Sequence, residues 1–200
     1  DINISISDVE IQKILDFQDK QDVKSLFKYF RNENPSYRYQ AVMALGSIKN
    51  LDAKDSLIMM LQDPVMQVRA AAAYALGQSG DTKITDRLIT AFRGKDTLEV
   101  NNIYNANILE AVGKTGNLSD LKAISTVKTY RSTDTLLVLG QARAIFRMAL
   151  RNIVSDEGTS RMVDLLYTAT VPRDIKVIAA QYFARANDLN LTLSKVRLTD

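Results

Sequence analysis

"QVRAAAAYALGQSGD", residues 67–81, sets four alanines in a row between Arg69 and Tyr74 and closes on Gly77, Gly80 and Asp81. Alanine has the best helix propensity and almost no side chain, so a helix built this way can approach its neighbours closely. The stretch repeats. With Arg69 as anchor, Arg38, Arg69, Asn105, Arg143 and Lys176 fall in one column at intervals of 31, 36, 38 and 33 residues. One position earlier stand Tyr37, Val68, Tyr104, Ala142 and Ile175, and three later Ala41, Ala72, Ile108, Phe146 and Ala179. Six and seven later come Ala44, Ala75, Ala111, Ala149 and Tyr182, then Leu45, Leu76, Val112, Leu150 and Phe183. These offsets form one apolar stripe at helical spacing.

Twelve positions after the anchor stand Asn50, Asp81, Asn117, Ser155 and Asp188, all residue types that cap a helix N-terminus. Each unit therefore reads as a first helix, a tight turn and a capped second helix. Gly46, Gly77 and Gly113 are expected to end the first helix in three units. The second helices are expected at about 52–62, 83–93, 119–130, 157–168 and 189–198. Residues 9–30 read as a further, degenerate pair, as end repeats that must solvate one face should be.

One such pair cannot bury its apolar faces alone, but stacked pairs can. The expected fold is an all-α solenoid of about five to six helix pairs over residues 8–200, preceded by an arm at 1–7. The pairs fall at 8–33, 34–62, 63–94, 95–131, 132–169 and 170–198. Residues 2–7 and 189–198 alternate apolar and polar at period two. They read as tails or a weak last helix, with arms that pair between chains or strands of a neighbouring domain as the alternatives, and the chain is expected to be a monomer or a weak dimer.

Composition limits the chemistry. The 200 residues contain neither His nor Cys, and no Trp. This removes the commonest general base, thiolate nucleophiles and metal ligation by imidazole or thiolate. No cofactor or metal is expected, and this chain reads as non-enzymatic. Formal net charge is +3, too little to argue for nucleic acid, and missing Trp weakens base stacking as well. No apolar run reaches the roughly 18 residues a membrane span requires. The composition suits an exported or a cytoplasmic protein equally.

The pattern resembles HEAT-like repeats of the phycobilisome-lyase type. The matching residues are Asp63-Pro64, Val68 to Gly77, Gly80-Asp81 and Leu88-Ile89, with Arg38 to Asn50 as a second copy. The resemblance implies a right-handed superhelix whose second helices line a concave binding surface for a protein or peptide. Residues 14–48 also look like the repeat region beside cyclophilin-type prolyl isomerase domains of some bacterial proteins. That likeness implies the non-catalytic part of a larger enzyme.

Two sets of basic residues are candidates for partner contact. Arg147 and Arg151 break their columns and, with Arg143, form an i, i+4, i+8 row of like charge. Either an acidic partner or phosphate neutralises them, or the helix is simply more exposed, or its register is shifted by one. Arg93, Lys122, Lys128, Arg131 and Arg161 stand on or just after second helices, where cations also complement a helix C-terminus. Arg38, Arg69, Arg143 and Lys176 read as a structural ladder, with Asn50, Asp81, Asn117 and Asp188 as caps. Gly113-Lys114-Thr115 matches the tail of a phosphate loop, but Ile108 stands where that motif needs glycine, so it reads as a helix end. The acidic pairs Asp156-Glu157 and Asp52/Asp55 sit at helix starts and read as caps.

Overall fold

A computed structural model describes residues 1–94, 96, 98, 100–127, 134–187 and 189, the Leu51 side chain excepted. Among them are eleven α-helices, and no strand. The helices are α1 (Val9–Asp19), α2 (Val23–Phe27), α3 (Pro35–Ile48), α4 (Lys54–Met60), α5 (Met66–Ser79), α6 (Thr85–Ala91), α7 (Asn102–Thr115), α8 (Leu118–Ser125), α9 (Thr135–Ala149), α10 (Asp156–Tyr167) and α11 (Arg173–Arg185). Short 3₁₀ turns continue α2 at Lys28–Arg31 and lead into α4 at Leu51–Ala53 and into α6 at Thr82–Ile84.

The first helices α1, α3, α5, α7, α9 and α11 pack in that order, each on the next. The second helices α2, α4, α6, α8 and α10 form the other layer of an α-solenoid, and one continuous apolar core runs between the layers. Ala41, Val42, Ala72, Ala73, Ile108 and Leu109 are all buried in it. The turn between layers is fixed by side chains. The Asn50 carboxamide accepts from the Asp52 N–H at 2.7 Å, and the Asp81 carboxylate accepts from the Lys83 N–H at 2.9 Å. Asn117 caps α8 in a reciprocal box with Asp120, and Ser155 accepts from the Gly158 N–H at 3.1 Å. Asp188 lies outside the described residues, as does the second helix expected at 189–198 apart from Leu189.

The close approach expected from the small residues is present. A Cβ added to Gly46 would stand 3.1 Å from the Ala75 Cα, and one on Gly77 would stand 2.9 Å from the Ala111 Cα. The tightest crossing is between α7 and α9. There a Cβ on Gly113 would fall 2.5 Å from the Ala144 Cα, and one on Gly140 2.6 Å from the Ala106 Cα. The glycines therefore differ in role from the expectation. The helices run past Gly46, Gly77 and Gly113 to Ile48, Ser79 and Thr115, and these residues serve contact rather than termination. Gly80, at φ +65°, ends α5, and Gly116 ends α7. The helical setting of Gly113-Lys114-Thr115 likewise leaves no phosphate loop.

Residues 1–7 form no strand. The Asn3 N–H donates to the Ser36 hydroxyl at 2.8 Å and Ile2 rests on the core, while Ile6 is exposed. Period-two alternation makes a strand only where an edge supplies hydrogen bonds, and the neighbouring element here is a helix end.

Candidate functional site

The anchor column is a set of cross-braces. Arg38 is buried and grips Asp63 through two bonds of 2.7 and 2.9 Å, and it also donates to the Asn32 and Glu33 carbonyls. Arg69 donates to the Asp63 and Pro64 carbonyls and reaches forward to Asn101 at 2.8 Å. Asn105 bonds the backbone of Arg93 through both ends of its amide.

In the fourth unit this job belongs to Gln141, two positions before the expected Arg143. The Gln141 Nε2 donates to the Ile124 and Val127 carbonyls at 2.7 and 2.9 Å, and its Oε1 accepts from the Arg161 Nε at 2.7 Å. With Gln141 as anchor, the offsets −1, +3 and +7 read Gly140, Ala144 and Met148, all buried, while +6 falls on the exposed Arg147. The stripe on α9 is fully apolar only with Arg143 as anchor (Ala142, Phe146, Ala149, Leu150), so apolarity alone selects a register wrong by two. The shared chemistry of the slot is an N–H donor aimed at the carbonyls closing the preceding unit, and a neutral amide fills it. Lys176 stands at the corresponding place on α11, partly exposed.

The candidate cations divide between two surfaces. Arg147, Arg143 and Lys114 converge from the first-helix layer on one carboxylate, Glu110, at 3.0, 3.4 and 3.5 Å. Burial pushes the Glu110 carboxyl up, but Lys114, Arg147 and Arg143 outweigh it and hold the group below its ordinary value. Lys114 also stands 5.4 Å from the Tyr74 ring centroid. Arg151 donates to the Gly116 carbonyl at 2.9 Å, tying the end of α9 to the end of α7. The row that broke its columns thus binds α9 to α7.

Arg93, Lys122 and Arg161 belong to the other layer. The Arg93 guanidinium lies 6.0 Å from the Tyr104 ring centroid, with Arg69 at 5.5 Å from the same ring. Burial first, and then the like charge of Arg93, pull Arg69 below its ordinary value. Lys122 is exposed, with Glu157 at 3.8 Å. Arg161 is held by Gln141. Lys128 and Arg131 lie outside the described residues.

Two openings on the second-helix side were not anticipated from the sequence. One is an apolar notch of about 170 Å³ where α6, α7 and α8 meet, with Ile89, Phe92, Leu109, Val112, Ala123 and Val127 in its lining. The second is a groove of about 440 Å³ where α2 and its 3₁₀ turn face α4. Their walls come from residues far apart in the chain: the apolar ones read as ordinary core positions, and Lys24, Lys28 and Arg31 as a solvated face. The one available signal is Met59, a large apolar side chain 69% exposed on a second helix.

The family model for HEAT repeats matches residues 23–106. This span covers the units from α2 to the start of α7, and HEAT repeats commonly mediate protein interaction. No curated protein matches the sequence. Among the described residues no helix is long and apolar enough to cross a membrane.

Proposed function

We propose that this chain is a non-enzymatic scaffold that takes a segment of another protein on its second-helix face, the concave side of the solenoid. The observation that carries this reading is the notch between α6 and α8. Its lining is almost wholly apolar, and Ile89 on its rim is 42% exposed. An open apolar recess is unfavourable in water unless something fills it, and a partner's aliphatic or aromatic side chain fits such a recess as a binding anchor. Cations flank it in sequence on both sides: Arg93 follows Phe92, and Lys122 precedes Ala123. Lys128 and Arg131 follow Val127 in the sequence. In a longer parent carrying a cyclophilin-type isomerase domain, as the resemblance of residues 14–48 implies, this face would hold the partner beside the catalytic neighbour.

A displayed library of random peptides, selected on the whole chain, tests the reading. Enriched peptides are expected to lose binding to Ile89→Asp and to keep it with Leu136→Asp, a similarly exposed site on the first-helix side. Failure to enrich any sequence, or enrichment abolished by Leu136→Asp alone, would overturn it.

A further inference from the structure

The groove between α2 and α4 carries a chemistry distinct from the notch. Phe27, Phe30, Met59 and Met60 give it an apolar floor, and Phe27 and Phe30 meet edge to face at 5.6 Å. Lys24, Lys28 and Arg31 complete the lining with Ser56, so its charged members are three exposed cations and no carboxylate. None of the three is ion-paired among the described residues, in contrast to Arg38 nearby. The acids on the same elements, Asp22 and Asp55, stand at the starts of α2 and α4, outside the lining, with Ser25 and then Lys28 among the groups that hold the Asp22 carboxyl low.

Each part of this arrangement is unfavourable by itself. An exposed Met beside two aromatic rings leaves apolar surface in water, and three cations around one groove repel one another. A single occupant relieves both. We infer that this groove binds an amphipathic acidic peptide segment, with apolar side chains at helical spacing set on Phe27, Phe30 and Met59 and with carboxylates against Lys24, Lys28 and Arg31. About 440 Å³ lies within the range of clefts that enclose small ligands, roughly 300–1,000 Å³, so the groove suits a short segment. Helix-in-groove recognition reads such anchors at i, i+3 and i+4. Methionine, unbranched and polarizable, adapts to differing apolar partners, which suits a surface that reads a pattern rather than one sequence. This inference rests on the second-helix face being the binding face and names one class of occupant for it.

The test uses three synthetic peptides on the whole chain, read by fluorescence anisotropy. In the first, Leu and Phe at helical spacing alternate with Asp and Glu. In the second, Lys replaces each acid, and in the third, Ala replaces each Leu and Phe. The first is expected to bind, and to weaken as salt rises, while the other two bind at least about tenfold more weakly. The double variant Lys28→Glu/Arg31→Glu is expected to reverse the preference and favour the lysine peptide. That gain cannot come from unfolding. Met59→Ala should weaken the first peptide. The inference is overturned if the acidic peptide does not bind, if it binds the charge-reversed protein equally well, or if the Ala peptide binds as tightly. It is also overturned if a single-stranded oligonucleotide displaces the acidic peptide and binds more tightly than it. Ile89→Asp should leave the acidic peptide in place. Failure here alongside selected peptides that still depend on Ile89 removes this inference and spares the proposed function.

Discussion

Arg38 and Gln141 do equivalent work at two ends of the solenoid, one with a charge and one without. Arg38 buries its guanidinium against Asp63, an arrangement that is costly to break from one side because a lone charge stays buried. Asp63→Ala is expected to lose about 3–5 kcal/mol in urea unfolding. Gln141→Leu leaves the carbonyls it served and the Arg161 Nε without that partner, and should lose about 1–3 kcal/mol. Arg143→Leu should change stability by less than about 0.5 kcal/mol. The reverse order would restore the register that the column of basic residues suggests. Arg38, Arg69 and Asn105 were legible from sequence because alanine-rich or mixed helices flank them. Gln141 was not, because the stripe on α9 is more uniformly apolar with Arg143 as anchor than with Gln141, which puts Arg147 on it. Glu110 supplies a second test at this scale. Its folded carboxyl lies below the ordinary value, so its contribution is full above the unfolded value near about 4.3 and is lost as pH falls through the folded one. The stability difference between the native chain and Glu110→Gln should therefore favour the native chain at pH 7 and vanish in acid. A difference independent of pH would contradict the pairing with Lys114, Arg143 and Arg147.

Helix α7 meets α9 through glycine and alanine at both ends of their crossing. In an isolated helix Gly113→Ala would stabilise by up to about 1 kcal/mol. In the solenoid the new methyl meets backbone atoms of Ala144 that cannot rotate away, so the sign should invert, with a loss of about 1–3 kcal/mol by thermal unfolding. A raised melting temperature would show that the helices are further apart than described. The first helices and their caps were readable from spacing, since one face is buried in every unit and the cap residues recur. The ends of α3, α5 and α7 were not, because a glycine near a C-terminus reads the same whether it stops a helix or admits a neighbour. The recesses beside α4 and α6 were also hidden. They arise from the gaps between second helices, and no local pattern records a gap.

The molecule as a whole is a stack in which each first helix touches mainly the next, so its stability is distributed and its faces are chemically separate. On the first-helix side Lys114, Arg143, Arg147 and Arg151 are committed to Glu110 and to backbone carbonyls. On the second-helix side an apolar notch and a basic, aromatic groove stand open. Hydrogen–deuterium exchange, with and without a peptide selected from the displayed library, tests that division most directly. Binding on the second-helix face at the notch predicts slower exchange in α6 and α8, with the groove around Leu136 and Arg143 unchanged. Protection centred on Leu136 and Arg143, or none in the second helices, would contradict it.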